Sequence, residues 1–440
     1  MSSPTVVRPT GLMESFHATR HFLGIDSCIM ISARFISTGG STLGKELLFP
    51  ALHKVIHDLP ILAVMIKDES FKPSFVKLDT IDLSAIVEFS NETDLETIFE
   101  RQLSVRLDTT APLPLWRLQV LKDGTVLFVF HHCIGDALSG AIFHKTLLAA
   151  LQEPVVGADS ALVVVPKTIS LLPPLEEVTD VRPSLLNILT TALALFIPIP
   201  ASWKRSYYAW TANPVSKTPD FTPHAKVMTF NAEEMDAFLK VCRTHNATIT
   251  SAFYTLTAAI MSKLVPPHSP SYRTIGALVA ISMRSIAGTP DGICNYVSGH
   301  YTYPPINPAF QWPAAAAYAQ ELQRQKTVAR ETVGLIYYLF GNIAPFFQNS
   351  MGNKRNAAFE ISNVGRIPDP TAHGLGPWRI DRMVFAQSDL VVNAALKVNV
   401  IGDPTGAVHV TLTWGEAAID RNLVDSFAVQ FQEGVRSLIS

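Results

Sequence analysis

The stretch TVLFVF, residues 125–130, is apolar on both faces of any strand it forms. Val126, Phe128 and Phe130 point to one side, and Leu127 and Val129 to the other. A strand of this kind has to lie inside a sheet with a layer packed on each face. The preceding run WRLQVL, residues 116–121, is a second strand, and Lys122-Asp123-Gly124 supplies the glycine-containing turn of a hairpin. The buried strand then runs directly into His131 and His132. Asp136 follows four positions after His132, ahead of the helical stretch ALSGAIFHKTLLAALQ. Polar groups at the end of a buried strand are where open α/β sheets carry their sites.

The rest of the chain fits such a layered fold. Hydrophobic residues make up 48% of the 440 and charged residues 16%, which leaves ample material for cores and no compositional sign of disorder. A formal net charge of −2 gives no field that would draw nucleic acid or an anionic membrane, so small apolar partners are expected. The chain is expected to be a monomer. Cys28, Cys133, Cys242 and Cys294 stand singly, without a CxxC pair, as in a reducing compartment. The opening MSSPTVVRPTGLMESFHATR has no basic-plus-apolar signal, so a cytoplasmic location is expected. The apolar run from Leu185 to Ile199 is too short to span a bilayer and ends in two prolines. It is expected to be a buried or crossover helix, with a peripheral membrane contact or a greasy channel entrance as the alternatives.

Three parts follow from the pattern of elements. Residues 1–155 alternate strands and helices. Residues 156–222 are Pro-rich and are expected to connect two lobes. Residues 223–440 repeat the strand–helix mix, with strands at TIGALVAISMRS, AAFEISNVGRI, ALKVNVIG and AVHVTLTWGE, and close on the amphipathic helix RNLVDSFAVQFQEGVRSLI. Residues 39–46, GGSTLGKE, approach a phosphate loop but place Glu46 where Ser or Thr would hold magnesium. A plain loop before a helix is expected there. There is no GxSxG, no HExxH and no paired CxxC.

On an extended strand, adjacent histidines point to opposite faces and cannot share a metal, and His132 with Asp136 supplies only two ligands. No metal site is expected. Imidazole is the natural general base near neutral pH. A structural, hydrogen-bonded histidine is the competing reading. Asp136 can orient a ring, cap the helix, or pair with a cation elsewhere.

HHCIGDALSG resembles the HHxxxDG signature of the chloramphenicol acetyltransferase-like superfamily, which includes BAHD acyltransferases, peptide-synthetase condensation domains and fungal alcohol acetyltransferases. RPTGLMESFHATRHFLGIDSCIMISARF, LDTTAPLPLWRLQVL, LVAISMRS, FEISNVGRI and HVTLTWGEAAID resemble, in order, further marks of the fungal alcohol acetyltransferase-like group. The resemblance spans nearly the whole chain. It implies an α/β fold of two chloramphenicol acetyltransferase-like lobes, with mixed sheets around a central solvent tunnel. It also implies an acyltransferase that uses an acyl thioester, acyl-CoA or a carrier-protein thioester, as co-substrate, with no other cofactor bound. The acceptor would be a small apolar alcohol, such as a fungal secondary metabolite.

By match to the motif, His132 is implied as general base and His131 as a packing residue on the opposite face. Asp136 is implied to pair with Arg284 across the lobes. Ser362 and Asn363 are candidates to bind the oxyanion, and Trp414 and Gly415 are implied as structural. TLTWG lacks the Asp and Phe of the fuller DFGWG, which argues against a plant-type BAHD enzyme. Ala137 stands where the signature has Gly, and its methyl group is expected to narrow the thioester arm of the tunnel. The competing functions are a condensation, cyclisation or other reaction run by the same histidine, and a non-catalytic binding protein.

Overall fold

The computed structural model describes residues 5–439 other than 27, 154–159, 190–204, 219–220, 267–270, 289–290, 369–375 and 389–390. Two mixed sheets organise them. The first has five strands in the order Trp378–Gln387, Ile29–Ser37, Thr125–Phe130, Trp116–Leu121 and Val87–Ser90. Thr125–Phe130 is its middle strand, antiparallel to both neighbours. Gly124 turns the hairpin at φ +84°, and a Cβ there would fall 2.4 Å from the Phe35 carbonyl, so the turn needs glycine twice over.

Both faces of the middle strand are covered. Val126, Phe128 and Phe130 pack into the main core of the first lobe with the helices Lys45–Asp58 and Ala137–Leu151. Leu127 and Val129 pack on the other side against Ile98, Phe99 and Leu103 of the helix Leu95–Ser104, and against Ala225 of the second lobe. Glu96 and Glu100 of that helix accept from the backbone N–H groups of Val227 and Ala225, which covers an edge strand of the second sheet.

The second sheet has six strands in the order Pro223–Phe230, Val408–Gly415, Ala394–Gly402, Ala357–Arg366, Ala277–Ser282 and Val297–Thr302. Its apolar face (Phe359, Ile361, Leu396, Val398, Val410, Leu412 and Trp414) packs on the helices Ala232–Thr244, Ile249–Leu264 and Arg421–Ser437. The opposite face is polar and still buried: Glu360, Ser362, Lys397, Asn399, His409, Thr411 and Thr413. Lys397 donates to Glu360 at 2.7 Å, and Thr413 to the Gln387 carbonyl at 3.0 Å.

Strand Trp378–Gln387 belongs to the second half of the sequence but completes the first sheet beside Ile29–Ser37. Its charged residues hide its period. Arg379, Asp381 and Arg382 interrupt the apolar alternation, and Arg34 compensates Asp381 through two hydrogen bonds of 2.8 Å. Residues 39–44 are a turn and loop, and Lys45 and Glu46 open the helix Lys45–Asp58. Of the apolar run 185–199, residues 190–199 lie outside those described; Leu185, Leu186 and Leu189 are exposed. Among the described residues no helix is long and apolar enough to cross a membrane.

The helix Ala137–Leu151 is pinned to the sheet by His144, whose Nε2–H donates to the Ile31 carbonyl at 2.9 Å. Burial pushes this imidazole down to about 4, against the effect of that hydrogen bond. The unfolded chain therefore takes up the proton first on acidification. Stability contributed by the neutral ring is complete above pH ~6.5 and is lost as pH falls towards 4, by about 3 kcal/mol. Urea midpoints measured across that range should fall less steeply for His144→Gln, which keeps a donor to Ile31 but cannot titrate. Equal slopes would contradict this assignment.

Candidate active site

Strand Thr125–Phe130 ends one residue before the histidines, and residues 131–136 turn sharply into the next helix. The His131 N–H still donates to the Leu115 carbonyl at 2.9 Å, so the backbone ladder carries on through the first of the two rings. Both meet the opening helix Leu12–Phe22. His132 stacks on His17 with ring centroids 3.5 Å apart and planes at 17°, and His131 lies against His21 at 4.4 Å.

The two motif histidines differ in how they are held. The backbone N–H of Cys133 donates to His131 Nδ1 at 3.0 Å, so the proton of the neutral ring sits on Nε2. That nitrogen faces Glu69 at 3.3 Å, and His21 Nδ1 faces the same carboxylate oxygen at 2.8 Å. Burial pushes His131 down to about 4, with Glu69 opposing, and the two imidazoles hold the Glu69 carboxyl well below its usual range although burial raises it. The ligand-type atoms of His21, Glu69 and His131 lie within 4.8 Å of one another. A metal at His131 Nε2 would have to displace the proton that the Cys133 bond places there. The carboxylate instead ties the two imidazoles together through His131 Nε2 and His21 Nδ1.

His132 is tied the other way round. Its Nδ1 lies 3.1 Å from the Gly135 carbonyl, which can only accept, so the neutral ring carries its proton on Nδ1 and a lone pair on Nε2. The residue is the less enclosed of the pair, 9% exposed against 1% for His131. Burial lowers its basicity, with the Asp26 charge opposing. Asn295 fixes the turn by donating to the His132 carbonyl at 2.8 Å.

Asp136 points away from His132. It caps the helix Ala137–Leu151 by accepting from the Ser139 N–H at 3.1 Å. Arg284, which opens the short helix Arg284–Ala287 just past the strand Ala277–Ser282, meets it with Nε at 3.0 Å and Nη2 at 2.8 Å. Both side chains are buried. Arg284 also donates to the Ser139 hydroxyl and to the carbonyls of Gly292 and Cys294, and the Tyr296 N–H donates to Asp136 at 3.3 Å. The pair thus joins the motif turn to the second lobe with nearly every donor and acceptor in use.

Arg284 also borders an open cleft of about 700 Å³ lined by Leu138, Thr250, Ile281, Lys326 and Asn363. Asn363 donates to Thr250 there at 3.0 Å. Ser362, its neighbour on the strand, takes the opposite face, with Glu360. Leu138 lines this cleft, whereas Ala137 packs against the first-lobe core. Trp414 and Gly415 end a strand of the second sheet, with Trp414 buried in that lobe's apolar core.

Sequence reasoning passed over His17, His21, Asp26 and Glu69. The signal was present in HATRH, which puts two histidines and Arg20 on one helix face at i, i+3 and i+4.

Comparison with known proteins follows the same lines. The chain is 22% identical to a probable alcohol acetyltransferase, crmB, of Aspergillus fumigatus, over 97% of each chain. The TRI3 trichothecene 15-O-acetyltransferase of Fusarium sporotrichioides superposes with a TM-score of 0.72 at 14% identity, covering 98% of this chain and 94% of that one. A starter condensation domain of rhizomide synthetase RzmA, solved in complex with C8-CoA, superposes at 0.59 and 10% identity, covering 100% of this chain and 95% of that one. At these identities the two structural likenesses establish a shared fold, that of chloramphenicol acetyltransferase-like enzymes and condensation domains. The family profile for alcohol acetyltransferases matches residues 9–433, and the chain accordingly belongs to the alcohol acetyltransferase family, a family of acyltransferases.

Proposed function

We propose that the protein transfers an acyl group from acyl-CoA to the hydroxyl of a small apolar alcohol, with His132 as general base. The observation that carries this reading is the tautomer of His132. The Gly135 carbonyl holds the Nδ1 proton, so Nε2 is the nitrogen able to accept one. His131 has the reverse arrangement and faces Glu69, which suits a structural part.

In this mechanism Nε2 takes the acceptor's proton as its oxygen attacks the thioester carbonyl. The tetrahedral intermediate collapses with loss of the thiolate, which recovers the proton from His132. The acyl group passes directly, without a covalent enzyme intermediate. The oxyanion requires a donor. Ser362 suits this better than Asn363, whose amide is engaged by Thr250. Asp136 and Arg284 act through the turn that aims His132. The cleft beside Arg284 is the entry for the CoA arm in this reading, with Lys326 supplying positive charge at its wall.

The test follows free thiol released from acetyl-CoA and longer acyl-CoAs in the presence of a panel of apolar alcohols. Release that depends on the alcohol is the expected result. CoA binding without release, or no CoA binding, would overturn the reading in favour of condensation-type chemistry or a binding role.

A further inference from the structure

The reaction just described leaves a positive charge on His132 at its midpoint, and the motif aspartate does not face it. Asp136 is engaged by Arg284, Ser139 and Tyr296. The carboxylate that does stand near the base comes from elsewhere. Asp26, in the loop after the opening helix, has Oδ2 3.5 Å from His17 Nδ1 and 3.8 Å from Arg20 Nε, and its Oδ1 accepts from the Ser388 hydroxyl at 2.8 Å. His17 lies flat on His132. It makes no hydrogen bond of good geometry among the described residues, although it is buried. A buried imidazole without a good partner is costly to the fold, and a role toward the group it touches accounts for its being kept there.

Resting on the reading of His132 as base, we infer that Asp26 and His17 together are its positioning and charge-stabilising partners. Asp26 holds the His17 ring, His17 fixes the plane of His132, and the imidazolium that forms lies against a neutral ring with a carboxylate behind it. A neutral aromatic ring attracts a cation stacked on its face more strongly than it attracts a neutral ring. The low local dielectric strengthens the attraction to Asp26. A face-on stack also leaves the edge of His132, where Nε2 lies, clear for substrate.

The charge states agree with this arrangement. Burial, with His132 and Arg20 adding to it, drives His17 well below its usual range, so that the ring is neutral. Burial works against the Asp26 charge, but Arg20 and His17 hold its carboxyl well below the usual carboxylate range. The charged and titratable groups around His132 are Asp26, Arg20 and His17 from the opening helix and its loop, His131 and Asp136 from the motif turn, and Arg284 across the lobes. The Lys397–Glu360 pair of the second sheet lies beyond Arg20 and Asp26. Arg20 opposes Asp26, so the net effect depends on Asp26 keeping its charge.

The experiment compares wild type, Asp26→Asn and His17→Phe for kcat, both KM values and the pH profile of kcat. His17→Phe keeps a flat ring in the stack and leaves Asp26, Arg20 and Ser388 untouched, so it remains informative should Asp26→Asn fold poorly. Loss of the carboxylate destabilises the imidazolium. Asp26→Asn should therefore lower kcat by about tenfold or more, with both KM values within about twofold, and move the acidic limb of the profile to lower pH. His17→Phe keeps the ring face and the Asp26 charge but loses the link that orients the stack, so it should lower kcat by less and leave the limb near its wild-type position. Wild-type kcat with an unmoved limb in the folded variants would overturn the inference. If His132→Ala is inactive in the same assay, that failure falls on this inference alone; if His132→Ala remains active, it falls on the base assignment.

Discussion

His132→Ala should fold as wild type does and lose acyl transfer by about 10²–10⁴-fold. The size of the loss follows from the role. The acceptor hydroxyl is a poor nucleophile until its proton is removed, and Nε2 of His132 is the lone pair that the Gly135 bond leaves available. The fold should survive because the His132 side chain gives the turn only its bond to the Gly135 carbonyl, and the other bonds there are made by other groups. The His132 carbonyl, which survives the substitution, receives Asn295, and the Cys133 N–H binds His131. Steady-state rates beside circular dichroism of the same preparation check both halves of the prediction. A folded His132→Ala protein with wild-type turnover would contradict the role.

The second large effect is on stability. Arg284→Ala leaves Asp136 buried with only the N–H groups of Ser139 and Tyr296 and the Ser139 hydroxyl. Asp136→Ala leaves the guanidinium buried with carbonyls and the Ser139 hydroxyl. Removal of one partner from a buried ion pair typically costs about 3–5 kcal/mol, because the other charge is stranded. Replacing both should cost less than the two single changes added together, since no charge remains uncompensated. Urea denaturation of the two single variants and the double variant measures this coupling. All three should also lose activity, because the pair anchors the turn between His132 and the helix Ala137–Leu151. A soluble, fully active Asp136→Ala protein would contradict the account.

How far the sequence reached depended on whether a feature was local. TVLFVF announced a central strand, and its neighbours on both sides bear that out. The glycine turn was legible for the same reason, since its cause lies within four residues. The crossover strand Trp378–Gln387 was not, because Arg379, Asp381 and Arg382 break its period and Asp381 finds its partner, Arg34, only after folding. The most consequential omission was the ring of groups around the motif. His17, His21, Asp26 and Glu69 reach the two histidines from segments at least 62 residues away in sequence. Only the spacing within HATRH hinted at them, and a helix face that carries two histidines and an arginine passes for a solvated one until the fold buries it.

Direct transfer from thioester to alcohol is the centre of this account, and a paired measurement on the wild-type protein tests it most closely. Free thiol and acylated alcohol are quantified in one reaction, and the intact protein mass is recorded with acyl-CoA alone. The account predicts one ester for each thiol, release only when the alcohol is present, and no acyl mass on the protein. Thiol released without an acceptor, or an acylated protein, would contradict it.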